Sequence, residues 1–179
     1  GYLTIKNYDR KSQMFTLGVP NREVKEGLMD VLLPYYVKVR RNTVGQVVED
    51  LVDAARTGHP DKMMECLQSY FAGVSYAMKM ENENNFHNAF YILTSLLAIN
   101  AEAEVQTSDG RIDMLLKSAD FIFIIELKYD GTARQALDQI NEKRYCLQFR
   151  NDPRTVYRIG ANFSSETRTI GDWIIEEGC

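Results

Sequence analysis

Three ionisable residues sit in apolar surroundings. Asp113 lies within Ile112-Asp113-Met114-Leu115-Leu116, and Glu126 and Lys128 close the run Phe121-Ile122-Phe123-Ile124-Ile125-Glu126-Leu127-Lys128. Strand alternation puts residues i and i+2 on one face, roughly 7 Å apart along the chain. An extended 121–129 therefore carries this acid and base side by side. An unpaired buried charge costs several kcal/mol, so an ion pair between Glu126 and Lys128, or a strand end reaching solvent, is one account of the pattern. Asp113 opens another. The short connection Lys117-Ser118-Ala119-Asp120 makes 111–116 the hairpin neighbour of 121–129, and Asp113 then faces Glu126 across the pair. Two carboxylates in a dry site repel each other and raise a pKa unless a cation lies between them. Oxygen-only ligands favour Mg²⁺, with Mn²⁺ as a substitute. The neighbouring lysine suits positioning a water nucleophile or stabilising a phosphorane-like transition state.

Further polar residues flank this trio. Glu83 shares the core-facing side of the helix before the strands, where acids also serve as simple partners of the helix dipole. His87, on that helix, reads as a packing or hydrogen-bonding histidine. Gln139 and Lys143 are four apart and project together from a later helix, with Tyr145 just beyond. Arg144, Arg150, Arg154, Arg158 and Arg168 extend a basic surface. Cations beside a metal site are the layout a phosphodiester requires, although a solvated helix face has the same composition.

The elements that must hold these residues can be read from periodicity. Residues 2–17 alternate around a polar centre and predict a β-hairpin. Helices are expected over 23–33, over 44–55 (Val44, Val47, Val48, Leu51, Val52) and from Asp61 through Met64, Leu67, Tyr70 and Phe71. Phe86, Ala89, Phe90, Leu93, Leu96 and Leu97 form an i, i+3, i+4, i+7 stripe over 84–97. Strands follow at 102–107, 111–116 and 121–129, the last buried on both faces. A helix over 132–149, a strand at 155–162 and an extended piece at 168–175 complete the order α-β-β-β-α-β-β. This predicts an α/β (α+β) chain with a mixed central sheet flanked by helices. Residues 1–79 form a hairpin and helical connector, and 80–179 form the domain that carries the chemistry.

The 179 residues are 45% hydrophobic and 26% charged, enough for a real core and too mixed for a disordered chain. No apolar run reaches the roughly 18 residues that span a bilayer, and the N-terminus lacks a signal-peptide pattern; a soluble, cytoplasmic protein with no membrane partner is expected. Twenty-one basic against 25 acidic residues give a net charge of −4, which argues against coating nucleic acid by bulk charge but not against a local basic groove. Cys66, Cys146 and Cys179 are odd in number and far apart, so neither a disulfide framework nor a cysteine zinc site is expected. The chain has no phosphate-cradling glycine loop, and its two histidines, His59 and His87, have no nucleophile partner.

Gly110-Arg111-Ile112-Asp113, Ile125-Glu126-Leu127-Lys128, Gln139-Ile140 and Ile159-Gly160-Ala161-Asn162-Phe163 resemble the PD-(D/E)XK nuclease superfamily over roughly 80–175. More narrowly, they resemble the nuclease-like domain at the C-terminus of bacterial proteins that begin with an AAA-ATPase-like domain. Gly1-Tyr2-Leu3-Thr4-Ile5 and Gly18-Val19-Pro20-Asn21-Arg22-Glu23-Val24 resemble the stretch joining those two domains. The resemblance implies a restriction-endonuclease-like α-β-β-β-α-β core. Asp113, Glu126 and Lys128 would be catalytic, and Asp113, Glu126 and Glu83 would ligate Mg²⁺. Gln139 and Tyr145 would lie near the site, with Lys143 beside them on the substrate. Ile112 replaces the proline of the superfamily's name. Nucleic acid, as DNA, and the ATPase domain of the same protein are the implied partners, with a homodimer open. An inactive nuclease fold that binds nucleic acid or regulates its ATPase domain is the alternative, and a protein-interaction platform built by the N-terminal helices is a third reading.

Overall fold

The structure is a computed structural model that describes residues 3–21, 23, 24, 27, 41–77, 86, 89, 90, 93, 102–104 and 112–179. Its centre is a five-stranded mixed sheet in the order β3 (Glu102–Glu104), β4 (Met114–Lys117), β5 (Phe121–Tyr129), β6 (Thr155–Ser164), β7 (Thr169–Glu177). β5 runs antiparallel to β4 and parallel to β6, and β7 returns antiparallel. β5 occupies the middle because Phe121 to Ile125 are apolar in succession and Leu127 continues the run past Glu126; Ile122 to Leu127 are all buried.

Apolar layers cover both faces of the sheet, as strand alternation demands. On one face, Phe123, Ile125 and Leu127 share a core with Met114, Leu116, Ile159, Ala161 and Phe163. The same core takes Val48, Leu51 and Ala54 from α1 (Arg41–Thr57) and Met63, Met64, Leu67 and Phe71 from α2 (Pro60–Ala77). Leu51 thus lies in the core and Val47 packs partly buried against it, which answers the interaction-platform reading of Val44, Val47 and Leu51 for these two; the side chain of Val44 lies outside the described residues. Phe86, Ala89, Phe90 and Leu93, the described part of the expected 84–97 helix, are helical and buried in this core. The expected junction near 79/80 falls between α2 and this helix, which pack together: Tyr70 donates to the Ala89 carbonyl over 3.1 Å, and Phe71 stacks on Phe90 and meets Phe86 at a tilt. α2 is also tied to β7, since Gln68 donates to Ile170 O at 2.7 Å and accepts at its own carbonyl from Thr169 at 2.8 Å.

On the other face, Leu115, Ile122, Ile124 and Val156 pack against Leu137 and Ile140 of α3 (Ala133–Glu142) and against Phe149 of a 3₁₀ turn (Tyr145–Phe149). α3 starts at a capping box, in which Thr132 accepts from Gln135 N and Gln135 accepts from Thr132 N. It is shorter than the helix expected over 132–149. Arg144 takes a left-handed conformation, φ 53°, which stops the α-helix and restarts the chain as the 3₁₀ turn. A second departure concerns cysteine. Cys146 in that turn and Cys179 beyond β7 form a disulfide, and Cys66 alone is free; the expectation of unpaired thiols fails because β7 brings the chain end beside the turn, a proximity no local spacing encodes.

Away from the sheet, β1 (Thr4–Asp9) and β2 (Met14–Gly18) form the expected N-terminal hairpin and leave Leu3, Ile5, Met14, Phe15 and Leu17 exposed. Of the helix expected over 23–33 only Glu23, Val24 and Gly27 are described, and they are helical. The turn at 108–110 and the end of the strand expected over 102–107 lie outside the described residues.

Candidate active site

Glu126 is the buried charged residue of the described chain, 2% exposed at the end of a continuous apolar strand. The face it shares with Ile122 and Ile124 is the one α3 covers. Its neighbour in the β5–β6 register is Gly160, and this pairing explains how α3 comes so close: a Cβ on Gly160 would meet Leu137 N at 2.3 Å and Ala133 O at 2.4 Å. The missing side chain lets the helix backbone lie on the strand and brings Gln139 over Glu126.

Asp113 enters from the other side. β4 begins at Met114, so Asp113 occupies a bend just before it rather than the strand expected over 111–116. Met114 pairs with Ile125, and continuing that register sets Asp113 opposite Glu126. Its Oδ2 accepts from Leu127 N at 2.8 Å, which fixes the carboxylate in the place where a ladder bond would otherwise form.

A short polar relay links the remaining residues. Lys128 Nζ donates to Gln139 Oε1, and Gln139 Nε2 donates to Glu126 Oε1. Lys128 Nζ also lies 3.7 Å from Glu126 Oε1. Glu126 thus stands beside Lys128 and opposite Asp113, and Gln139 bridges Glu126 and Lys128. Glu126 Oε2 and the Tyr145 hydroxyl remain buried without a hydrogen bond of regular geometry. Burial, followed by the nearby Asp113 charge, lifts the Glu126 pKa to about 7, against a smaller downward pull from Lys128. Burial also raises the Tyr145 hydroxyl, with Gln139 countering it and Glu126 and Asp113 adding to it. Tyr145 therefore faces the same site although it belongs to the 3₁₀ turn.

The other expected residues are placed differently. Lys143 is exposed at the C-cap of α3, and its backbone N–H donates to Gln139 O; its side chain does not join the Glu126 relay. Arg154 is held by Asp152 at 2.7 Å and by the Ser118 carbonyl at 3.2 Å, away from the carboxylates. Glu83 and His87 lie outside the described residues. Among the described residues no three His, Cys, Asp or Glu side chains converge, so Asp113 and Glu126 are the acids this site brings together. Asn162, given no role by spacing, is the β6 neighbour of Lys128 and accepts from Asp172 N at 2.7 Å. The Gly160-Ala161-Asn162 stretch signals both this residue and the close helix approach.

Acid and lysine at i and i+2 on a central strand, a second acid opposite, a glutamine from the next helix, and the strand order around them are a family pattern. A family model described as the PD-(D/E)XK nuclease superfamily matches residues 81–173. The chain belongs to the PD-(D/E)XK nuclease superfamily. Asp113 and Glu126-Leu127-Lys128, whose sequence resembles that superfamily's motif, both lie within the matched span. The chain is also similar to the uncharacterized protein in the vnfD 5′ region of Azotobacter chroococcum mcd 1, at 26% identity over 98% of its length. It spans 36% of that relative. No solved structure matches it.

PD-(D/E)XK nucleases typically use divalent metals, and the site fits such an ion. Both inward acids offer only hard oxygen donors, Glu126 Oε2 is a buried acceptor with no donor to satisfy it, and burial together with the Asp113 charge raises the proton affinity of Glu126 beyond what Lys128 offsets. Asp113 and Glu126 are the residues that would hold it. No helix among the described residues is long and apolar enough to cross a membrane.

Proposed function

We propose that this chain is a Mg²⁺-dependent nuclease domain that hydrolyses phosphodiester bonds of DNA, and that it acts as part of a longer, ATPase-linked bacterial protein. The observation that carries the reading is the unsatisfied Glu126 Oε2, buried opposite Asp113 and tied through Gln139 to Lys128. When bound, the ion supplies Lewis acidity to a phosphoryl oxygen and to a water. Lys128, about one third exposed, reaches from the buried pair to the solvent side, where it orients a water and offers its charge to the phosphate. Gln139 holds that ammonium by accepting from it and holds the Glu126 carboxylate by donating to it, so one side chain sets the distance between base-positioning and metal-holding groups.

The ATPase partner rests on the resemblance of the N-terminal stretch, and on a relative almost three times as long as the match. The exposed apolar residues of the β1–β2 hairpin are where such a neighbouring domain would pack. A cytoplasmic setting belongs to the same reading, and trapping of free thiols in cells reports the state of Cys146 and Cys179 there.

Calorimetric titration of Mn²⁺ into the wild type and into Asp113→Asn tests the site without a choice of substrate. Asparagine keeps an oxygen for the Leu127 amide and removes the charge. Binding by the wild type and loss in the variant, together with metal-dependent cleavage of DNA that Lys128→Ala removes, is the expected result. Metal binding without cleavage of any nucleic acid favours the inactive, nucleic-acid-binding alternative. Failure of the wild type to bind Mn²⁺ sinks the proposal.

A further inference from the structure

A cavity of about 320 Å³ lies on the α3 side of the sheet where the 3₁₀ turn meets the chain end. Its wall carries three guanidinium groups, from Arg144, Arg150 and Arg158, and no aspartate or glutamate. Arg158 is a fixed cation: it donates to Gly178 O at 2.8 Å and to Asn141 Oδ1 at 2.5 Å, and lies 3.1 Å from Glu176. Arg144 and Arg150 have no acid partner among the described residues, and both are exposed. Ile140 and Leu147 line the same cavity, Ile140 buried and Leu147 56% exposed.

Each part of this wall has a chemical reading. Glu176 answers the charge of Arg158, which leaves Arg144 and Arg150 as like charges that repel unless an anion lies between them, and guanidinium groups match the oxygens of a phosphate through paired N–H donors. A bare phosphate leaves most of a 300 Å³-class pocket empty, and the exposed Leu147 beside Ile140 offers an apolar floor for a flat organic group. We infer that this cavity is a nucleotide-binding site, with the phosphate on Arg144 and Arg150 and the nucleoside on Ile140 and Leu147. The site is separate from the carboxylates and does not depend on hydrolysis there. A free nucleotide and a nucleotide of a bound strand share this chemistry.

The test is calorimetric titration of the full chain in EDTA, which removes metal-dependent binding from the measurement. The probes are adenosine 5′-monophosphate, adenosine, and a short 5′-phosphorylated oligothymidylate. We expect one monophosphate per chain, adenosine at least about tenfold weaker, and at least a ~10-fold loss in Arg144→Ala/Arg150→Ala. Arg150→Glu alone reverses a charge without touching the left-handed turn at Arg144, and it gives the same loss. Glu126→Gln leaves binding unchanged. Arginine-dependent binding of the monophosphate identifies a free nucleotide as a sufficient occupant; arginine-dependent binding of the oligonucleotide alone identifies a strand. Binding of neither probe by the wild type, or equal binding by a folded Arg150→Glu variant, overturns the inference. Loss of cleavage in Lys128→Ala with these affinities intact separates this site from the proposed catalytic one.

Discussion

Glu126 holds a proton in the fold that it would lose in the unfolded chain. Its folded pKa of about 7 stands above the ordinary glutamate value of 4.5, so between these values the folded form binds more protons, and its stability falls as pH rises through that window. Below about pH 4.5 the contribution is fully present; above about pH 7 it is lost. Glu126→Gln mimics the protonated side chain and keeps an oxygen to accept from Gln139. We expect it to melt higher than the metal-free wild type at pH 8 by at least ~1 kcal/mol, or about 2–4 °C, with the gap closing toward pH 5. Thermal melts in EDTA across that range check this. A gap that does not change with pH would mean that Glu126 ionises freely in the fold. Lys128→Ala acts on the other end of the relay: metal-dependent cleavage should fall by at least ~100-fold while the melting temperature moves little, since Lys128 is partly exposed and its loss leaves Glu126 its bond from Gln139.

The approach of α3 to β6 is a property of elements, and Gly160 decides it. An added methyl would meet backbone atoms of Leu137 and Ala133, which cannot rotate away, so Gly160→Ala should destabilise by about 1–3 kcal/mol and lift Gln139 off Glu126. The combined readout is a lower denaturation midpoint together with weaker Mn²⁺ binding in the fraction that remains folded; wild-type metal affinity would show that Gln139 does not organise the carboxylate. Much of this level was legible in the sequence. The apolar run 121–127 marks the central strand, and the Asp113–Glu126 opposition follows from a short hairpin connection and the period of two. The stripe Phe86, Ala89, Phe90, Leu93 marks a core helix. What escaped depends on backbone choices without a compositional sign. Lys143-Arg144-Tyr145 contains neither glycine nor proline, yet Arg144 turns left-handed there and carries Tyr145 back toward the site. Asp113 gives its carboxylate to a backbone amide at a bend, so the strand starts later than its apolar pattern does. Lys143 shares a helix with Gln139 but ends it, exposed, because the next residue leaves the α-helix.

At the scale of the whole molecule, the sheet is clamped from opposite faces by unlike means. The α1–α2 face relies on area: a core of phenylalanine, leucine and methionine side chains from residues distant in sequence. The α3 face has a smaller core, interrupted by the polar relay, and it is closed at its edge by the Cys146–Cys179 link across 33 residues. A cross-link of that span removes chain entropy worth roughly 3–4 kcal/mol from the unfolded state, and here it also joins the segment that carries Tyr145 and Arg144 to the end of β7. Reduction should therefore lower the melting temperature of the wild type markedly, and Cys146→Ser/Cys179→Ser should melt where the reduced wild type does, with no response to dithiothreitol. The α1–α2 core keeps the sheet folded in both cases, so circular dichroism at room temperature should be nearly unchanged. If reductant leaves the melting temperature in place, the β6–β7 ladder and the Arg158 bonds to Gly178 and Glu176 suffice to hold the chain end, and the disulfide follows from that proximity rather than enforcing it.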